Sequence, residues 1–316
     1  MGTPIYLDSE MEIAVAQMAQ AGTFGGDFDP VAFRPVFEQF SPLLWNREAM
    51  PVHQLKDIAI PANGAQLTAR IYWPRASDRP LPVLLFFHGG GYTSGSINTA
   101  DAHCRFFCRE ADCIVINADY RLAPEHPFPT GVEDTFAIAD WAAAHLAEFG
   151  GDPARFAIGG DAPGASFATV NTIRARDRGG PKFICQILLG PSADFAGHYP
   201  EKDEYLQAGP IPAIALQKLE QAYLPDDRAQ RDWRCSPLLA KDLSRLPPAF
   251  ILSAQYDFLR PEVDAYVARL RASGVAVAYQ VWPGAVHNFF SMCDQLEIAR
   301  AAMRNAAAHL RKALHP

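Results

Sequence analysis

The stretch FAIGGDAPGASFATV at residues 156–170 decides how the rest of the chain is read. A short apolar, β-rich run ends at Gly160, and from Gly164 the pattern is helical as far as Arg178. Between them Gly160-Asp161-Ala162-Pro163-Gly164 has to turn the chain sharply. A turn from a buried strand straight into a helix lifts its tip residue above the sheet, and small flanking residues relieve the crowding. Such an elbow is built to present a reactive side chain, yet its tip is Ala162, whose methyl group is inert.

The same alternation extends along the chain. Short β-rich runs stand at residues 66–73, 82–87, 113–118, 155–160, 183–190, 249–254 and 275–282, and helical spacing fills 101–111, 131–148, 164–178, 262–273 and 295–313. Most of the runs are apolar on both faces, as strands of a buried parallel sheet must be. An α/β fold with a doubly wound sheet and helices on both faces follows. Residues 1–50 break the rhythm with a helical stripe (Met11, Val15, Met18) and an aromatic one (Phe33, Phe37, Phe40). So do residues 193–235, rich in Pro, Tyr and charge, with a helical piece at 214–223. Such segments cover the ligand crevice at the carboxyl ends of the strands. The chain therefore divides into a cap segment (1–50), a first part of the core (51–192), a cap insertion (193–235) and a second part of the core (236–316). The aromatic stripe serves either substrate contact or ordinary packing onto the sheet.

Composition narrows the class. With 316 residues, 49% of them apolar, there is material for one large core or two ordinary domains. The net charge of -7, with Lys and Arg scattered, leaves no nucleic-acid footprint. No window is apolar for the ~18 residues of a membrane span, and residues 1–10 lack the basic start and apolar run of a secretory signal. A cytoplasmic location is the expectation. The six cysteines have no framework spacing and read as free thiols; Cys104 and Cys108 lie four apart, but no second pair completes a metal site.

Three features sit at the carboxyl ends of the expected strands. The first is FFHGGGY at 86–92, where consecutive glycines let backbone N–H groups turn inward, as an oxyanion hole requires. The second is the elbow. The third is a downstream pair, Asp257 in SAQYDFLRP and His287 in WPGAVHNFF, each just after a strand. Nucleophile, acid and base arriving in that order match the logic of a hydrolytic triad, in which the acid orients the imidazole and the imidazole takes the nucleophile's proton. Taken singly, Asp257 reads equally as a helix cap and His287 as a loop histidine.

With HGGGY, DYRLAPEHPFP (119–129), the elbow, SPLLA (236–240), DFLRP and HNF, nearly the whole chain resembles the hormone-sensitive lipase-like family of α/β-hydrolases, of the bacterial carboxylesterase type. The resemblance implies an eight-stranded, mostly parallel sheet with a helical cap, carboxylesterase chemistry on a small-molecule ester, and no cofactor. It implies oxyanion N–H groups from Gly89, Gly90 and Gly91, with Asp257 as acid and His287 as base. DYRLAPEHPFP then fixes a long turn beneath the site, and a homodimer through the last edge strand, near 275–282, is a further implication.

The elbow departs from the family's G-D-S-A-G-G at two positions. Ala162 stands where serine is expected, and losing the nucleophile of a triad costs roughly six orders of magnitude in turnover. Pro163 has no backbone N–H, where the residue after the nucleophile normally donates one to the oxyanion. Its fixed φ nevertheless suits the first turn of a helix. Ser166, one helical turn on along the same face, is the alternative nucleophile but has lost the lift of the elbow, and Asp161 reads as a hydrogen-bonding residue within the elbow. Two accounts follow: a serine esterase carrying Ser→Ala at 162, or a naturally inactive member that binds a small molecule. An amidase is a close variant of the first.

Overall fold

The computed structural model describes residues 5–20, 28–45 and 49–316, with α2 side chains only as far as Gln39. Met1 to Pro4 and the Phe40 side chain, both read above, lie outside the described residues. One sheet organises the chain: β1 (Gln54–Ala62), β2 (Ala65–Trp73), β3 (Leu81–Phe87), β4 (Ile114–Ala118), β5 (Gly151–Asp161), β6 (Gln186–Leu189), β7 (Ala249–Tyr256) and β8 (Val277–Val286). Their spatial order is β1-β2-β4-β3-β5-β6-β7-β8. β1 and β2 are antiparallel to their neighbours, whereas β3 to β8 pair in parallel. The helices are α1 (Ser9–Gln20), α2 (Pro30–Trp45), α3 (Asp101–Glu110), α4 (Thr130–His145), α5 (Pro163–Arg178), α6 (Glu201–Leu206), α7 (Ala213–Tyr223), α8 (Asp227–Gln230), α9 (Arg260–Ala272) and α10 (Glu297–Leu314).

Side-chain alternation explains the two layers. Along β3, Val83, Leu85 and Phe87 join the core that α4, α5 and α9 cover. Leu84 and Phe86 point the other way, into the core of α3 and α10. β3 is buried at every residue, which is why its sequence shows no polar alternation. β1 escaped the sequence reading for the opposite reason: it is an edge strand, largely exposed and holding Pro61.

The elbow is a point of close approach between backbones. A Cβ on Gly164 would lie 1.9 Å from Phe87 O, and one on Gly160 2.6 Å from the same oxygen. Only glycine lets the start of α5 and the end of β5 pass this close to β3. The tip itself, Ala162, has φ 47° and ψ −117°, a conformation that costs an L-residue on the order of 1–3 kcal/mol. It is pinned by its N–H donating to Leu189 O (2.8 Å) and its carbonyl accepting from Ala165 and Ser166.

Gly164→Ala should therefore lower stability by about 1–3 kcal/mol or more, as overpacking does, measured by urea unfolding. An unchanged midpoint would show that β3 and α5 can separate freely.

Candidate active site

Asp257 follows β7 and His287 follows β8, so neighbouring parallel strands deliver both to one end of the sheet. His287 Nδ1 lies 2.9 Å from both Asp257 carboxylate oxygens. Asp257 is 1% exposed, and its Oδ1 also accepts from the Leu259 N–H at 2.9 Å. A buried carboxylate held in this way accepts the Nδ1–H, which fixes the tautomer and leaves Nε2 free as a candidate proton acceptor. The Phe258 ring packs 4.7 Å from the imidazole, and Asn288, at φ 64°, turns the chain immediately after it.

Ala162, His287, Gly90, Gly91 and Pro163 line one cavity of about 150 Å³. Its walls are mostly apolar, with Phe33 and Phe37 from α2 and Leu216 and Leu219 from α7. His287, the elbow tip and the glycine loop thus meet where α2 and α7, from the two irregular segments of the sequence, line the same cavity. Buried Glu262 and Ser192 also line this cavity, and the sequence reading gave neither a role. Glu262 accepts from the Ala193 N–H at 2.9 Å, and burial pushes its carboxyl up to about 7.

The glycine loop is not uniform. The Gly89 N–H donates to Asp161 Oδ1 at 3.0 Å, so it is turned toward the elbow and away from the cavity. A Cβ on Gly89 would meet Asp161 Oδ2 at 2.2 Å, so this contact itself demands glycine there. The expectation that Gly89 faces the reacting oxygen is corrected on this geometry. Gly90 and Gly91 both line the cavity, at φ 118° and 63°. The Gly90 carbonyl accepts from the Thr93 and Ser94 N–H groups, which closes the loop into a tight turn. Beneath it, Tyr120 donates its hydroxyl to His88 O at 2.8 Å and stacks on the His88 ring. Asp119 accepts from the Ile97 N–H, and Arg121 makes a bidentate pair with Asp134. The DYRLAPEHPFP stretch therefore holds the loop from below, a detail its turn-forming residues alone did not reveal.

Ser166, the alternative nucleophile offered by the sequence, is 2% exposed and donates to Ser192 O at 2.6 Å. It does not line the cavity. Pro163 occupies the first turn of α5, as its fixed φ favours. Cys104 and Cys108 are buried free thiols, and no group of His, Cys, Asp or Glu among the described residues is arranged to hold a metal. No helix among them is long and apolar enough to cross a membrane.

A strand-elbow-helix with a glycine loop on one side and an Asp–His pair on the other is a family arrangement. A family model described as alpha/beta hydrolase fold matches residues 84–291. The chain belongs to the α/β-hydrolase family. The chain is 40% identical over 255 residues to the carboxylic ester hydrolase LipN of Mycobacterium tuberculosis, spanning 78% of this chain and 68% of that one. Its structure matches a hyperthermophilic esterase from the archaeon Pyrobaculum calidifontis with a TM-score of 0.93 at 33% identity, covering 98% of this chain and 99% of that one. A serine-to-alanine mutant of an α/β hydrolase from the metagenome of Lake Arreo, Spain, matches with a TM-score of 0.92 at 32% identity, covering 97% of this chain and 98% of that one.

Burial also sets the charge state at the elbow. It pushes the Asp161 carboxyl up to about 7, partly opposed by the Gly89 N–H and by His287. A carboxyl whose folded value is raised contributes stability that is fully present below about pH 4 and lost as pH climbs through about 7. Asp161→Asn keeps an oxygen for Gly89 and cannot ionise. It should gain stability relative to the unsubstituted protein as pH rises from about 5 to 8, read from urea midpoints. A difference that is flat with pH would show that Asp161 ionises as freely folded as unfolded.

Proposed function

We propose that this fold serves a serine-type carboxylic ester hydrolase, and that the chain as it stands is a nearly inactive form with alanine in the nucleophile's place. The observation that carries the reading is His287, backed by the buried Asp257, sharing one apolar cavity with the strained elbow tip. A binding protein gains nothing from orienting an imidazole with a desolvated carboxylate. The ester-hydrolysing relatives support the same reading.

With serine at 162, the hydroxyl attacks the ester carbonyl while His287 Nε2 takes its proton; the imidazolium is stabilised by Asp257. The tetrahedral oxyanion accepts from the N–H groups of Gly90 and Gly91, and the N-terminus of α5 adds its dipole. Collapse expels the alcohol, protonated by His287, and leaves an acyl-enzyme. Water, activated by the same base, then releases the acid. Pro163 withholds the third N–H, so the glycine loop bears the oxyanion alone. The aromatic and aliphatic walls suit an ester of modest size. The segments 1–50 and 193–235 are read as the cap, with α2 and α7 contributing apolar walls of the cavity.

The rival reading, a binding protein, is favoured by Ala162 and Pro163 together, since each removes a catalytic group. Ala162→Ser decides between the two. It should raise the hydrolysis of p-nitrophenyl acetate by several orders of magnitude over the chain as it stands. A serine form that stays at background, while the cavity retains an uncleaved ester in calorimetry, would establish the binding protein.

Pro163→Ala in the serine form restores an N–H beside the oxyanion. Turnover should then rise by about ten- to a thousandfold with KM little changed. An equal or lower kcat would mean that Gly90 and Gly91 already saturate the oxyanion.

A further inference from the structure

Arg34, on α2, is a charged side chain near the site that takes no part in this chemistry. Its Nε donates to Thr93 O at 2.7 Å and its Nη2 to Ala123 O at 2.7 Å. Nη1 donates to Glu125 Oε1 at 2.9 Å, and Nη2 also pairs with Glu125 Oε2. A single guanidinium thus joins three segments that are far apart in sequence. Two of its acceptors are carbonyls within the loops that shape the cavity.

The Thr93 N–H, in turn, donates to Gly90 O, as do the Ser94 N–H and hydroxyl. The Ala123 N–H donates to Tyr92 O. Each carbonyl that Arg34 holds is therefore one residue away, or less, from a hydrogen bond that shapes residues 90–92. On the same helix Phe33 and Phe37 line the cavity, and Phe33 packs with Phe28 and Ala215. The helix that walls the substrate and the loop that carries the oxyanion donors are bolted together by one side chain.

We propose that Arg34 is a positioning residue: it couples the seating of α2 over the substrate to the placement of the Gly90 and Gly91 N–H groups. The coupling rests on the acyl-transfer reading of the site only for its catalytic consequence. Oxyanion donors stabilise the transition state because they are fixed beforehand, and a displacement of about 1 Å costs on the order of a hundredfold in rate. Arginine suits this task because its planar fork donates in several directions at once, whereas lysine offers a point charge. Glu125 lies on the solvent side of the cluster, half exposed, and such a pair adds little by itself. The two backbone carbonyls are the contacts that transmit position.

The test has two arms. In the chain as it stands, hydrogen exchange of peptides covering residues 89–95 should quicken by about tenfold or more in Arg34→Met, which keeps the aliphatic bulk and loses every donor. Arg34→Lys should change it in the same direction, and Glu125→Gln should leave it near the starting rate. Unchanged exchange at 89–95 in both Arg34 variants, with α2 loosened alone, would overturn the coupling. In the serine form, Arg34→Met should lower kcat for p-nitrophenyl acetate by about ten- to a hundredfold. A rise in KM with kcat intact would show that Arg34 only anchors the helix, and would equally overturn the proposal. Should the serine form itself be inactive, the hydrolase reading fails while the exchange arm still decides the coupling.

Discussion

Everything at this site hangs on a backbone contact that admits no side chain. The end of β5 and the start of α5 pass so close to Phe87 O that a methyl group at 160 or 164 has nowhere to go. That contact forces Ala162 into a left-handed conformation between them and sets the tip of the elbow against the glycine loop. The strain is held by ordinary hydrogen bonds: Ala162 to Leu189 on one side and the first turn of α5 on the other. Asp161 then locks elbow to loop through the Gly89 N–H. The same geometry that makes the elbow also orients the loop.

The polar groups around the elbow divide into those that shape the site and those that face the cavity. Asp161, Tyr120, Asp119 and Arg34 hold backbone, each by bonding to N–H or carbonyl groups of the glycine loop or its supports. His287 faces the cavity with the buried Asp257 behind it. The division accounts for Gly89: three glycines in a row look alike in sequence, yet one N–H is consumed in building the loop and cannot also bind an oxyanion. It also gives Pro163 a physical context. The proline is well placed as the opening residue of a helix, and the missing N–H is the consequence for chemistry.

The layers and most elements were legible in the chain because burial on both faces leaves a plain mark: β3, β4, β6 and β7 are apolar runs, and the helices between them have amphipathic spacing. β1 was not, since an exposed edge strand carries no such mark. The candidate acid and base were legible from their position after strands, and the elbow from its paired glycines. Arg34 and Glu262 were invisible, one an ordinary charge on a helix, the other an ordinary acid in the first turn of α9.

By itself, then, the sequence determined the alternation of strands and helices, the elbow at 160–164, and the inert methyl at its tip. These follow from local pattern: periodicity, glycine spacing and residue chemistry act within a few positions of one another. Only the tertiary structure decided that the Gly89 N–H is taken by Asp161, that Ser166 is spent on a backbone carbonyl, and that one arginine joins α2 to the loop. Those facts depend on partners 26 to 91 residues away in the chain, and no local pattern records where a hydrogen bond across such a separation will close.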